Sequence, residues 1–191
     1  MKPIVLFGIQ FTLALVAFAL LAWWHVVPRL AKLDRRHALE PLVWVHAFRI
    51  VGGAILAPGS VGLGVSLAFR RMIGIGDMAT AAVALVVLLA LRARWSRAGA
   101  LVWVLLVVGT LDTINAIIQS LRDNVFIHPL GVNWVIVTMY VPALIVSSVL
   151  IALQLLRRSA PAPRAGEIGV SRHRRGQGET VIPGLSRAFR V

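Results

Sequence analysis

The sequence predicts an all-α fold: a polytopic integral membrane helix bundle of about five transmembrane helices. Two observations predict it. Hydrophobic residues make up 59% of the 191 residues and the mean hydropathy is +0.85, which is more apolar surface than a globule of this size can bury. Five apolar stretches reach or approach the roughly 20 residues that an α-helix needs to cross a bilayer. The chain is therefore expected to fold in lipid.

The spans are predicted in the order in which the apolar stretches occur. The first is long and uninterrupted, whereas the second is short because Pro58 and Gly59 stop it. The fifth contains Pro142, which should kink the helix rather than end it, since apolar sequence continues beyond. A cleaved signal peptide is the alternative for the first stretch, because residues 17–19 have a small-x-small pattern. The predicted spans are 4–27, 42–57, 73–91, 100–119 and 132–156.

Residues 59–73 do not fit this pattern. They contain several glycines and an apolar run that is too short to span and ends at Arg70 and Arg71. We expect a short re-entrant or interfacial segment on the outer face, whose backbone would have to be covered by protein or water. An ordinary loop is the alternative.

Positively charged loops predict the orientation. Lys and Arg cluster in residues 28–40, in residues 92–98 and at the start of the C-terminal tail. Five spans place all three clusters on one side, and short cytoplasmic loops retain positive charge. We expect a multi-pass protein of the cell membrane with its N-terminus outside and its C-terminus in the cytoplasm. Residues 1–157 form the predicted transmembrane domain.

The tail, residues 158–191, is predicted to be a disordered basic cytoplasmic segment. It is rich in Gly, Pro, Ser and Arg and has few large apolar residues that could offset the cost of ordering it. The net charge of +13 therefore reflects orientation and lipid contact, and no nucleic-acid partner is predicted. A solvated tail without a dedicated partner is the alternative. The candidates for binding anionic lipid headgroups are Arg157, Arg158, Arg172, Arg174 and Arg175.

Ionisable residues inside spans are candidates for function, because each costs several kcal/mol unless it is paired or hydrated. Arg49 lies near the middle of the second predicted span, Asp112 inside the fourth and Asp77 near the outer end of the third. We expect Arg49 to pair with Asp112 or Asp77. As an alternative, Asp77 caps the start of the third helix.

Polar neighbours at helical spacing extend this cluster. His46, Arg49 and Gly53 should share one face of the second helix. A polar stripe on the fourth helix follows the same spacing, and we expect the two stripes to face each other. The candidate residues of the polar cluster are His46, Arg49, Asp77, Asp112, Asn115 and Gln119.

The predicted function is a non-enzymatic polytopic membrane protein whose buried cluster handles a proton, an ion or a small polar solute, or a structural subunit in which the cluster fixes helix register. The alternative is a membrane-embedded enzyme acting on a lipid, with Asp77 and Asp112 holding Mg²⁺. The chain has no cysteine, and no metal site, catalytic residue or cofactor is predicted. Haem fits poorly because the histidines differ in depth.

The predicted partners follow from membrane residence. They are the lipid bilayer and, at the cytoplasmic face, anionic lipid headgroups. Five spans are few for a transporter, so we also expect a homo-oligomer or a membrane partner protein.

Overall fold

The computed structural model describes residues 1–157, and these residues are all-helical: 82% of them lie in helices and none lies in a strand. Five helices are long and apolar enough to cross a membrane. They are α1 (Pro3–Leu30), α2 (Arg35–Leu56), α3 (Leu67–Arg92), α4 (Ala98–Arg122) and α5 (Val132–Leu156). The predicted tail, with Arg158, Arg172, Arg174 and Arg175, lies outside the described residues.

Helix α2 begins at Arg35, seven residues before the predicted span, which starts at residue 42. Asp34 is the N-cap, and its carboxylate accepts a hydrogen bond from the backbone N–H of Arg36 at 3.2 Å. A side-chain hydrogen bond with His37 also lowers the pKa of Asp34. This start lies outside the apolar stretch that predicted the span, because Arg35, Arg36, His37 and Glu40 surround the buried Ala38 and Leu39.

Helix α3 also begins earlier than predicted. Ser66 is its N-cap and accepts a hydrogen bond from the N–H of Phe69 at 3.1 Å. Residues 67–73, predicted as part of a separate re-entrant or interfacial segment, are the first turns of α3, so this part of the prediction is wrong. Arg70, within these turns, donates from Nε to the carbonyl of Ile55 at 3.0 Å. It thereby satisfies a carbonyl at the end of α2 that has no partner within the helix.

The turns between α2 and α3 pack against the loop between α4 and α5. The N–H of Gly62 donates to the carbonyl of Pro129 at 2.7 Å, and Asn133 donates from Nδ2 to the carbonyl of Ser60 at 3.1 Å. Residues 57–66 are therefore covered by protein on one side.

Three helices continue through an internal proline: α2 contains Pro41 within an α-helical segment, and α1 and α5 each have a π-helical turn next to theirs. Helix α5 runs through Pro142, as predicted, and a π-helical turn, Ile136–Tyr140, comes directly before it. Helix α1 passes Pro28 in the same way, after the π-helical turn Ala22–Val26. Proline has no N–H to donate, and its ring crowds the preceding turn of the helix. The wider π-helical turn makes room for the ring.

Part of α2 is not α-helical. Phe48–Leu56 is a 3₁₀-helix, which has three residues per turn, and its buried residues are Arg49, Gly52 and Ile55. This segment packs closely on α3, where a Cβ at Gly74 would lie 2.6 Å from Leu56 Cγ. The expectation that Gly53 shares the buried face with Arg49 is therefore wrong, because it assumed α-helical spacing.

Apolar side chains form two separate clusters in the bundle. The larger one lies towards the loops at 31–34 and 93–97, and Leu39, Val43 and Ile151 are among its residues. The smaller one lies towards the opposite loops and contains Ile55 and Phe126. In sequence, Arg49 and Asp77 each fall between the parts of α2 and α3 that supply these two clusters, and Asp112 falls between the part of α4 in the larger cluster and Val125 and Phe126 of the smaller one. The most hydrophobic window of α1 is only 6% buried, so most of its apolar surface faces outward.

Candidate functional site

The candidate site is built around the guanidinium of Arg49. This side chain is 3% exposed and projects from the 3₁₀ segment of α2 towards α3 and α4. Its Nε donates to Asp77 Oδ1 at 2.8 Å, and its Nη2 lies 2.7 Å from the same oxygen. Nη2 also donates to Asp112 Oδ2. Arg49 thus bridges two carboxylates that belong to different helices.

The third nitrogen of the guanidinium contacts α4. Nη1 of Arg49 donates to the carbonyl of Gly109 at 2.9 Å and to Thr113 Oγ1 at 3.2 Å. The hydroxyl of Thr113 in turn donates to the carbonyl of Gly109 at 2.8 Å. All three nitrogens are therefore hydrogen-bonded, so a bound anion would have to displace one of these partners.

Two glycines let the carboxylates approach. A Cβ at Gly52 would overlap the carboxylate of Asp77, and a Cβ at Gly76 would overlap Oδ1 of Asp112. Each glycine lies on the helix that faces the carboxylate concerned. Any larger residue would push that carboxylate away from Arg49.

The charges of this cluster do not balance when both acids are ionised. One guanidinium and two carboxylates sum to 1 − 2 = −1. Arg49 is buried, whereas the Asp77 and Asp112 side chains are 18% and 22% exposed. An uncompensated charge is costly in a medium of low dielectric constant. A proton or a cation bound to one of the carboxyls removes the imbalance.

His46 lies one helical turn before Arg49 and is 1% exposed. Neither of its ring nitrogens has a hydrogen-bond partner among residues 1–157. A Cβ at Gly109 would lie 3.6 Å from His46 Nδ1 and 3.5 Å from Arg49 Nη1, so the imidazole and the guanidinium face the same point of α4. Buried polar groups without partners are uncommon.

A cavity of about 120 Å³ adjoins the cluster. Its lining is mostly apolar and includes Ile73, Phe126 and Val137, with Asp77 and Thr113 at the end that meets the cluster. A concave, largely apolar cavity with a few polar groups at one end is the usual form of a small-molecule site.

The structure unites only part of the predicted polar cluster. Arg49, Asp77 and Asp112 meet, and His46 lies beside them. Asn115 is exposed and donates instead to Met72 Sδ at 3.6 Å, and Gln119 lies one to two turns further along α4. The alternative of Asp77 as a helix cap is wrong, because α3 starts ten residues earlier, at Leu67.

Four contributors were missed by sequence reasoning. They are Thr113, the carbonyl of Gly109 as an acceptor, and Gly52 and Gly76 as the points of close approach. The sequence held one signal for Thr113 and the Gly109 carbonyl: Thr113 directly follows Asp112 and comes four residues, about one helical turn, after Gly109. Backbone carbonyls carry no signal in the sequence, and Gly52 required knowledge of the 3₁₀ spacing.

Metal and headgroup candidates can be placed within the described part of the chain. No three His, Cys, Asp or Glu residues of that part come together as metal ligands, and Arg49 lies between the carboxylates of Asp77 and Asp112, where a shared Mg²⁺ ion would have to sit. Arg157, a predicted headgroup ligand, donates from Nη1 to Gln154 Oε1 at 3.0 Å and to the carbonyl of Leu30 at 3.4 Å.

Comparison with known proteins identifies one family. The family model described as "Domain of unknown function (DUF8737)" matches residues 6–157. No curated protein and no solved structure matches the chain.

Proposed function

The chain belongs to the DUF8737 family, and we propose that it is a multi-pass membrane protein whose Arg49, Asp77 and Asp112 cluster binds either a proton or a small organic cation with an apolar body. The observation that carries this proposal is the excess carboxylate: two acids share one guanidinium, and one of them, Asp77, lines an apolar cavity.

Membrane insertion is supported by the outward apolar surface. The five long helices have mean hydropathies between 1.4 and 2.5, and large apolar side chains such as Leu13, Leu89 and Leu111 are more than half exposed. Exposed apolar surface on this scale marks contact with lipid or protein. Because the Lys- and Arg-rich loops fall on the same side of the five spans as the tail, we place the N-terminus outside and the tail in the cytoplasm.

A cationic ligand is favoured over an anionic one by the hydrogen bonds of Arg49. All three nitrogens of its guanidinium are already donating to protein acceptors. The excess charge of the cluster is negative, so an ammonium group beside Asp77 would be attracted by it and an anion repelled. The apolar lining of the cavity would hold the body of such a ligand.

Proton exchange follows from the same charge balance. Without a cation, one proton shared by the two carboxyls neutralises the cluster; a bound ammonium group takes over that role and releases the proton. Asp77 is the residue in contact with the ligand, Arg49 holds both carboxyls in place, and Asp112 supplies the second charge.

A structural role is the second candidate, and it is favoured by the fact that the cluster joins α2, α3 and α4. In that case the cluster would fix helix register and bind no ligand. The lipid-directed enzyme loses support, because its Mg²⁺ ion would compete with the guanidinium of Arg49 for the same two carboxylates.

Calorimetric titration of the full chain in neutral detergent with 2-phenylethylammonium tests the proposal. Binding should be saturable, and the neutral analogue 2-phenylethanol should bind more weakly. Asp77→Asn and Asp112→Asn should each weaken ammonium binding by about tenfold or more, since each removes the excess charge. Asp123→Asn is the matched control, because Asp123 is exposed at the end of α4. Equal binding of the ammonium and the alcohol, or an unchanged Asp77→Asn variant, would contradict the binding of an organic cation at this cluster.

A further inference from the structure

A second pocket lies at the opposite side of the larger apolar cluster. It has a volume of about 180 Å³ and is lined by the first turns of α2 and the end of α3. The lining residues are Arg36, His37, Glu40, Leu91, Arg92 and Arg94. This is the end of the bundle on which the positively charged loops 28–40 and 92–98 lie.

Positive charge exceeds negative charge in this pocket. Arg92 donates from Nε to Glu40 Oε1 at 2.7 Å, and His37 is hydrogen-bonded to Asp34. Within residues 1–157, neither Arg36 nor Arg94 forms an ion pair. Three arginines and one glutamate therefore line the pocket, which favours an anionic ligand.

Arg94 has an unfavourable backbone conformation. Its φ is 53°, in the left-handed region. The N–H of Trp95 donates to the carbonyl of Ala90 at 3.0 Å and the N–H of Arg94 donates to that of Leu91 at 3.2 Å, the hydrogen bonds of a Schellman motif at the end of α3. Glycine is the usual residue at this position, because it adopts a positive φ without strain. A strained residue whose side chain lines a pocket points to a function for that side chain.

The first turn of α2 is unfavourable in a second way. Beyond the N-cap Asp34, it contains Arg35, Arg36 and His37 and no acidic residue, although the N-terminal end of a helix carries partial positive charge and favours anions. Arg94, with its strained backbone, and Arg36, in the basic first turn of α2, thus line the same pocket. A bound anion would offset the repulsion between these charges and the helix end.

We propose that the pocket between α2 and α3 binds a phosphate group, carried by an anionic lipid or by a soluble phosphate ester. Guanidinium groups donate paired N–H groups to phosphate oxygens, and basic pockets between helices at a membrane surface suit lipid headgroups. The pocket is separate from the Arg49 cluster, and the inference does not depend on that cluster binding a cation.

Ligand binding to the purified full chain in neutral detergent tests the pocket. The probes are short-chain phosphatidylglycerol, short-chain phosphatidylcholine and glycerol 3-phosphate. The key variant is Arg94→Gly, which removes the charge and relieves the strain, so its thermal midpoint should be equal to or above that of the parent protein. Its affinity for phosphatidylglycerol should fall about fivefold, the equivalent of roughly 1 kcal/mol per basic residue at an anionic surface.

Two controls isolate the pocket from general effects. Asn124→Gly relieves a second positive φ of a non-glycine residue, 48°. Asn124 lies in the loop at the far end of the bundle, so binding by this variant should be unchanged. Arg97→Gln removes a charge from the same loop as Arg94 without lining the pocket, and its affinity should change less than twofold. Arg94→Asn, which also tolerates the left-handed conformation, replaces Arg94→Gly if the glycine variant fails to fold.

Each result decides the proposal. Phosphatidylglycerol binding that depends on Arg94 and is not displaced by glycerol 3-phosphate identifies a lipid headgroup as the source of the phosphate. Equal, Arg94-dependent binding of glycerol 3-phosphate identifies a soluble ester. Unchanged binding in the Arg94 variants, an equal loss in Arg97→Gln, or equal binding of phosphatidylcholine would overturn it.

Discussion

The guanidinium of Arg49 donates hydrogen bonds to two carboxylates, that of Asp77 on α3 and that of Asp112 on α4. Spacing along a helix indicates which residues share a face, but it does not fix the depth or rotation of neighbouring helices. The need of Arg49 for a carboxylate was therefore predictable and the number of carboxylates was not. The second acid matters most for function, because it turns a neutral pair into a cluster with excess negative charge.

Variants at Arg49 and Asp112 should differ in stability. Arg49→Leu leaves two carboxylates without their partner and should cost roughly 3–5 kcal/mol. Asp112→Asn should cost less, about 1 kcal/mol, because Arg49 keeps Asp77 and the asparagine can still accept a hydrogen bond. Thermal and denaturant unfolding in detergent measure both, with Asp123→Asn as the control.

The double variant tests whether Asp77 is a full partner. Arg49→Leu combined with Asp112→Leu still leaves the Asp77 carboxylate uncompensated, so stability should recover only in part. Complete recovery to the parent's unfolding midpoint would show that Arg49 pairs with Asp112 alone.

The 3₁₀ segment of α2 determines which residues surround Arg49. The number and the approximate positions of the five helices could be predicted, because each helix contains a long apolar stretch. The change to three residues per turn at Phe48–Leu56 could not, since it follows from close packing on α3. The starts of α2 and α3 were also missed, because the capping residues Asp34 and Ser66 lie outside the long apolar stretches from which the spans were predicted.

Alanine substitutions of two helical glycines test this packing. Gly52→Ala should destabilise the protein by roughly 1–3 kcal/mol, because its Cβ would overlap the carboxylate of Asp77. Gly99→Ala is the matched control: no atom lies within 4 Å of its Cβ position in α4, and alanine is the better helix former by up to about 1 kcal/mol. Equal unfolding midpoints for the two variants would show that Gly52 is not a point of close approach.

In the described bundle, the two candidate sites lie towards opposite ends. The cavity beside Asp77 is lined by residues of the smaller apolar cluster, whereas the Arg94 pocket lies at the end with the basic loops. Sequence reasoning predicted which loops are basic and hence the proposed orientation, which stays a prediction. It assigned headgroup binding to the tail and missed the pocket, because the pocket forms only where α2 and α3 meet.

The most direct test of the excess carboxylate is the infrared spectrum of the full chain in lipid at neutral pH. The parent protein should show the carbonyl stretch of a protonated carboxyl group, since two carboxyls share one guanidinium. Asp77→Asn and Asp112→Asn should each abolish this band, because the remaining acid is balanced by Arg49, and added 2-phenylethylammonium should diminish it in the parent protein. A parent spectrum without the band, or a band that survives in both variants, would contradict the proposed site.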